Sequence, residues 1–484
     1  MSASSEKIVY RFFSSLGLLV ALNAVIKPVW IFGIDREVQL QAGSSSYGHY
    51  FALFNLTVVL GFLLDWGLTS YVQRQLSAGQ GELLKYAGNL LGAKTLMIFA
   101  YVIAVSVTAA AAGIRDWRLL ATLVLMQVMT SLFLFFRSVI TAHQWFRTDA
   151  WFSVLDKALL ILLCGSVLYF PLVFETLTVE RFAFFQLACI SLATLSALSV
   201  LFRRGVRFEL RMKNNMARRL LRDIWPFAAI LFVMAAHYRL DGFLIERLSD
   251  ASEAGLYAAG FRLLDATNMV GYLFASFLLP FAARHAGTDR ETVNSVVLGS
   301  RDLLLLGSIL IATCSFFLSD WLAILLYGGR IDGAATILSS LMPALIGLSL
   351  VQIYGTVLTA TGHLHAFCLI ILAALFLSVG TNLLLIPHYG ARAAAWTAVF
   401  SQAAAGAGCM LYCTLRLKMP AGFRNLCLHV LAAIILSMFL FAGTRWGINE
   451  WLLVGVSAVI AGVFVLLMRP ELRSYWSRLK TSVI

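Results

Sequence analysis

The sequence predicts an all-α, polytopic integral membrane protein with about fourteen transmembrane helices. Three observations carry this reading. Of 484 residues, 60% are hydrophobic and only 13% charged, with a mean hydropathy of +0.85, too little polar surface to cover a soluble globule of this size. The apolar residues gather in runs close to the ~20 residues that a helix needs to cross a bilayer. Between the runs lie short loops whose Lys and Arg residues return to one side of the membrane.

Taken in order, the runs cover residues 9–34, 47–68, 83–111, 119–140, 151–173, 182–202, 224–245, 254–282, 293–318, 334–358, 366–386, 393–415, 426–443 and 451–468. The first begins after Lys7 and Arg11 like a signal peptide, but it stays apolar past Ala24 and Leu22 fits a cleavage site poorly, so an uncleaved span is expected. Loops carrying Arg74, Lys85, Arg137, Arg147, Arg284, Arg290, Arg416, Lys418 and Arg424 share a side with both termini. By the positive-inside rule that side is cytoplasmic.

The longest polar stretch, 203–222, holds eight Lys and Arg residues against Glu209 alone, which suits a surface segment attracted to anionic lipid. It separates two sets of six spans. Tyr47-Gly48-His49-Tyr50 opens the second span much as Ala254-Gly255-Leu256-Tyr257 opens the eighth, and Val139-Ile140-Thr141-Ala142 closes the fourth as Val357-Leu358-Thr359-Ala360 closes the tenth. Paired matches at similar displacement indicate an internal repeat of the kind found in transporters. The expected organisation is a six-helix lobe over 1–202, a basic cytoplasmic linker over 203–223, a second six-helix lobe over 224–415, and two extra helices with a basic tail over 416–484.

Five ionisable residues, Lys27, Arg239, Asp241, Arg262 and Asp265, sit well inside spans. Each costs roughly 2.5–3.5 kcal/mol at bilayer depth on insertion scales, so together they point to a polar cavity. At ~1.5 Å per residue, Lys27, Arg239 and Arg262 lie about 10, 9 and 12 Å from the outer ends of their spans. Arg262 and Asp265, three apart, can pair within one helix; Arg239 and Asp241, two apart, cannot. Asp241 is therefore the better candidate for a carboxylate that exchanges a proton or sodium ion, with His237 one turn away to tune it. Lys94, Asp156, Lys157, Arg301 and Asp302 lie nearer the inner ends, where snorkelling accounts for them. Proline after Lys27 frees a carbonyl and bends the first span, which suits a gate.

With these features the chain resembles the Wzx-type polysaccharide flippases of the multidrug/oligosaccharidyl-lipid/polysaccharide (MOP) exporter superfamily. The resemblance rests on Tyr47-Gly48, Asp65-Trp66-Gly67-Leu68, Gln144-Trp145-Phe146, Gly255-Leu256-Tyr257-Ala258-Ala259-Gly260-Phe261-Arg262-Leu263, and the stretch from Asn382 through Pro387, Gly390 and Arg392 to Ala394, in that order over nearly the whole chain. Arg392 stands where the last motif usually has a second glycine. The resemblance implies two six-helix lobes in a V, and alternating access for an undecaprenyl-diphosphate-linked oligosaccharide in the bacterial cytoplasmic membrane. It also implies that spans one, two, seven and eight line the cavity, which makes Lys27, Arg239 and Arg262 substrate-binding residues and Asp241, Asp265 and His237 ion-coupling residues. A polysaccharide polymerase and a chain-length regulator are the protein partners it brings with it.

Competing readings are a lipid II flippase, a drug/cation antiporter, and a membrane-bound polymerase or acyltransferase. The antiporter usually has twelve spans and an acidic cavity, and the enzymes are expected to show a large polar loop with a catalytic constellation or a buried His/Asp pair at an active site; no outer loop is long enough, and the longest polar loop is inner and merely basic. No enzyme activity, cofactor or metal site is expected. The net charge of +13 lies in short loops rather than on an amphipathic basic face, so no nucleic acid is expected either. Seven cysteines fall in apolar runs without metal-ligand spacing and read as small core residues.

Overall fold

A computed structural model describes residues 18, 21–23, 25–69, 83–143, 145–169, 177–206, 214–285 and 289–468, with the side chains of 83–91 and 214–227 left aside. The expectations for both termini and for residues 207–213 of the basic segment fall outside these residues. The described residues are helical, with no strand, and twelve helices are long and apolar enough to cross a membrane. Two of the twelve are too long for one crossing: 21–65 has 45 residues and Leu364–Leu415 has 52. At ~1.5 Å per residue these measure about 68 and 78 Å, more than twice the ~30 Å hydrocarbon layer.

Each is broken once by a glycine. Gly43 adopts φ 80° and ψ 161°, and Gly390, three residues after Pro387, adopts φ 55° and ψ −135°. Both conformations suit a residue without a Cβ. Splitting the two long helices at these points gives the fourteen crossings expected from hydropathy.

The first crossing differs from expectation at its outer end. Hydropathy stops it at Ile34 because Asp35, Arg36 and Glu37 follow, yet the helix runs on through them to Gly43. Directly after Pro28 the backbone opens into a π-helical stretch, Val29–Asp35, as happens where proline removes an amide donor. Tyr47 closes the region by donating its hydroxyl to both Asp35 carboxylate oxygens, at 2.9 and 3.0 Å.

The chain divides into two compact units, 1–255 and 256–484. The first contains α1 (Arg36–Leu60), α2 (Leu83–Ala111), α3 (Trp117–Ala142), α4 (Phe146–Tyr169), α5 (Val179–Arg203) and α6 (Asn214–Leu248). Side-chain caps start α3 and α5: Asp116 accepts from the Leu119 amide and Thr178 from that of Arg181. An aromatic cluster joins three helical segments, Trp30 stacking on Phe182, and Phe182 meeting Tyr50 edge-on. Trp30, half-buried, also lies 5.1 Å beneath the Lys157 ammonium.

The second unit contains most of α7 (Ala251–His285), then α8 (Arg290–Phe317), α9 (Ser319–Tyr327), the broken span over Ala334–Ala360, α10 (Leu364–Leu415), α11 (Phe423–Arg445) and α12 (Glu450–Met468). The last two helices pack on α8 through two clusters. Leu306, Ala432, Ala461 and Phe464 form one, and Leu318, Leu440 and Leu453 the other.

A polar network also fastens α8 to α11. Arg301, 1% exposed, donates from Nε and Nη2 to Asp302 Oδ1 at 2.9 and 2.7 Å, and from Nη1 to the Ala421 carbonyl and Tyr354. Asn425 donates to the other Asp302 oxygen, and the His429 ring meets the Asp302 carbonyl at 3.1 Å. Snorkelling is thus not how these charges are accommodated. Lys94 also departs from that expectation: it is fully buried, 3.3 Å from Asp65 and over the Phe135 ring. Proximity to a helix end does not bring a side chain to water when neighbouring helices cover it.

Because removing one partner of a buried pair strands the other charge, Asp302→Ala is expected to destabilise the protein by roughly 3–5 kcal/mol, and Asn425→Ala by about 1–3 kcal/mol. Thermal unfolding of the purified variants in detergent checks both the size and the order of these losses.

Candidate translocation site

The sequence-predicted residues divide between the units. Lys27, His237, Arg239 and Asp241 fall in the first, Arg262 and Asp265 in the second. On α6, His237 and Asp241 are one turn apart on one face and both are 5% exposed. Arg239, half-buried between them in sequence, donates from Nη1 to Asn55 Oδ1 of α1 at 3.4 Å and rests against the Tyr238 ring. On α7, Arg262 is buried and Asp265 half-buried. Lys27 is half-buried just before Pro28.

The longer helices change the depths estimated from sequence. Counted to the true breaks, Lys27 lies about 24 Å from Gly43, Arg239 about 14 Å from the end of α6, and Arg262 about 17 Å from the start of α7. Lys27 is thus deeper along its helix than the other two.

What places Arg239 is a close helix crossing. A Cβ on Gly242 would stand 2.5 Å from Asn55 Nδ2 and 2.5 Å from Phe51 Cε1, so α1 and α6 meet at this distance only because residue 242 has no side chain. Farther along α1 the approach is tighter still. A Cβ on Gly48 would lie 1.7 Å from the Ala251 carbonyl oxygen and 2.5 Å from the Gly255 nitrogen, and one on Gly255 would lie 2.0 Å from the Ser44 oxygen. Gln39, 1% exposed, seals this contact by donating to the Gly255 carbonyl at 2.7 Å. The two glycines in contact are the matching positions of the internal repeat.

Asn55 is the site residue that sequence reasoning missed. It is 1% exposed, its Oδ1 holds Arg239, and its Nδ2 is buried without a hydrogen-bond partner among the described residues. His237 Nε2 is likewise buried and unpartnered. Unsatisfied polar groups in a membrane interior are costly, and the Asn55 amide, whose own oxygen holds the guanidinium, supplies an extra hydrogen bond for a polar ligand; His237, two residues from Arg239, lies on another face of α6. A lone Asn in an otherwise apolar run was the available signal; window-averaged hydropathy conceals it.

Also missed was an ionic cluster at the end of the α1–α6 crossing. The His49 ring is hydrogen-bonded to Glu246, whose other oxygen is 2.8 Å from Arg247, and Asp116 stands 3.8 Å from the far side of the imidazole. Each residue ends or precedes a span, where charge is ordinary, so nothing in the sequence set them apart.

Comparison with known proteins bears on the fold. The chain aligns with the lipid II flippase MurJ in an inward closed conformation, with a TM-score of 0.71, 14% identity, and coverage of 94% of this chain and 99% of that one. The chain has the fold of the MOP superfamily. An inward-facing multidrug resistance MATE transporter of that superfamily aligns with a TM-score of 0.62 and 13% identity, over 80% of this chain and 94% of its own. A MATE transporter of Vibrio cholerae aligns with a TM-score of 0.57 and 15% identity, over 87% of this chain and 99% of its own. No protein-family model and no curated protein sequence matches this chain.

Since any side chain at residue 48 collides with backbone that cannot swing aside, Gly48→Val is expected to part α1 from the start of α7. In a background stripped of native cysteines, Ser44→Cys should then react several-fold faster with a membrane-impermeant maleimide than it does beside Gly48. Unchanged labelling would show that the contact is not kept in the membrane.

Proposed function

We propose that this protein is a flippase that carries an undecaprenyl-diphosphate-linked oligosaccharide across the bacterial cytoplasmic membrane by alternating access, for assembly of an exported polysaccharide. The observation that carries the reading is Arg239, a guanidinium held inside the bilayer by Asn55, with unpartnered Asn55 and His237 nitrogens on the same pair of helices. A diphosphate offers many acceptor oxygens, and an arginine fork beside the Asn55 amide nitrogen is suited to grip it.

The extent of the structural match supports a lipid-flippase reading over a drug antiporter. The MurJ alignment takes in 94% of the chain, whereas the two MATE alignments take in 80% and 87%. In this proposal Lys27 and Arg262 join Arg239 in binding the anionic group, and Asp241, with Asp265 and His237, couples transport to a proton or sodium ion. Both termini and the basic linker are cytoplasmic, and the linker attracts anionic lipid. A polymerase and a chain-length regulator would receive the product.

Transport of lipid II is the second reading, favoured by the identity of the MurJ neighbour. Complementation separates the two: rescue of a strain lacking its lipid II flippase supports the second, and rescue of a strain blocked in polysaccharide export supports the first.

Losing a charged hydrogen bond to phosphate costs roughly 1.5–3 kcal/mol, about 10- to 150-fold in affinity. Arg239→Ala is therefore expected to stop export and leave lipid-linked precursor on the inner leaflet while protein levels hold. Arg239→Lys, which keeps charge and loses the fork, should restore only part of the export. Wild-type export by Arg239→Ala would remove the phosphate site from this crossing.

A further inference from the structure

A second site lies on the flank of the first unit, apart from the α1–α6 crossing. A cavity of about 730 Å³ is bounded by Ile26 of the first span, Trp151, Leu155 and Ala158 of α4, and Ser196 and Val200 of α5. That volume falls within the ~300–1,000 Å³ of ordinary ligand pockets. Its walls are apolar, as a hydrocarbon chain requires, but its mouth is not.

Arg147 and Thr148, in the first turn of α4, line the opening. Arg204, just past α5, lays its guanidinium 4.2 Å over the Trp145 ring and donates to Thr148 Oγ1 at 3.4 Å. Two guanidiniums and a hydroxyl thus converge at one end of an apolar slot. The adjacent carboxylate, Asp149, is taken up by Arg137, whose Nε and Nη2 donate to it at 2.8 and 3.2 Å, which removes the nearest repulsion for an anion.

We propose that this groove binds an anionic phospholipid of the surrounding leaflet, the phosphate seated between Arg147, Thr148 and Arg204 and one acyl chain lying along Trp151, Leu155 and Ala158. Charge at the mouth and hydrocarbon in the slot are the two halves of such a lipid; a zwitterionic lipid has the same phosphate and chains but adds a cation that the two guanidiniums repel. The slot follows α4 inward for about 18 Å, from Phe146 to Ala158, which places the chain parallel to the helix. The site differs from attraction of lipid by the basic linker as a whole, because Arg204 is fixed by a ring and a hydroxyl instead of acting as a diffuse charge. It does not rest on the transported substrate.

The test uses full-length protein in phosphatidylcholine vesicles doped with phosphatidylglycerol brominated on its acyl chains, or with equally brominated phosphatidylcholine. Trp151 lies in the slot, and its emission is isolated by subtracting that of Trp151→Phe. Brominated phosphatidylglycerol is expected to quench Trp151 at a lower mole fraction than brominated phosphatidylcholine. Arg147→Gln and Arg204→Gln should each raise the half-quenching fraction about fivefold, the worth of one basic residue at an anionic surface. Ala158→Phe, which fills the slot, should abolish the Trp151-specific quenching, and Arg239→Ala should leave it intact. Equal quenching by the two lipids in the native protein, or a preference that survives in the Arg147→Gln/Arg204→Gln double variant, overturns the proposal.

Discussion

The close approach of α1 to α6 and to the first turn of α7 is the constraint on which the rest of the first unit depends. In lipid, helices gain no hydrophobic driving force from meeting one another, so association rests on packing and on interhelical hydrogen bonds. Gly242, Gly48 and Gly255 remove the side chains that would hold the backbones apart. Having met, the helices place Asn55 against Arg239 and Gln39 against the Gly255 carbonyl. The polar contacts are consequences of the glycines: with the backbones an ångström or two farther apart, Asn55 would no longer reach the guanidinium.

The second unit solves the problem of intramembrane charge in the opposite way. Arg301 and Asp302 satisfy each other, and Ala421, Tyr354, Asn425 and His429 take up the remaining donors and acceptors. A network so complete is suited to holding α8 and α11 together and poorly suited to binding a ligand. On the α1–α6 pair, buried nitrogens of Asn55 and His237 lack hydrogen-bond partners among the described residues. The contrast between a satisfied and an unsatisfied polar cluster is what distinguishes a fastening from a candidate site.

Much of the architecture was legible in the sequence. Span length and spacing follow from bilayer thickness, so the helices fall where hydropathy places them, and the repeat motif marked two glycines that prove to touch. Other features were not legible because hydropathy is an average. It ended the first span at Asp35, although a helix carries charged residues readily where they find partners such as Tyr47. It concealed Asn55 among apolar neighbours, and it assigned Arg301 and Lys94 to the membrane surface by their distance from a helix end, which says nothing of what other helices cover. The charges that mark the candidate site stand out in the sequence; its geometry depends on contacts between residues far apart in the chain, such as Asn55 and Arg239, 184 positions apart, that no local pattern encodes.

In the proposed mechanism the α1–α6 crossing recognises the diphosphate of a lipid-linked saccharide. The most direct measurement compares binding of one polyprenyl-linked saccharide to the purified protein with and without its diphosphate, in the native chain and in Asn55→Leu. The diphosphate form is expected to bind at least about tenfold more tightly, as one charged hydrogen bond requires, and Asn55→Leu to narrow the gap. Equal affinity for the two lipids in the native protein would contradict it.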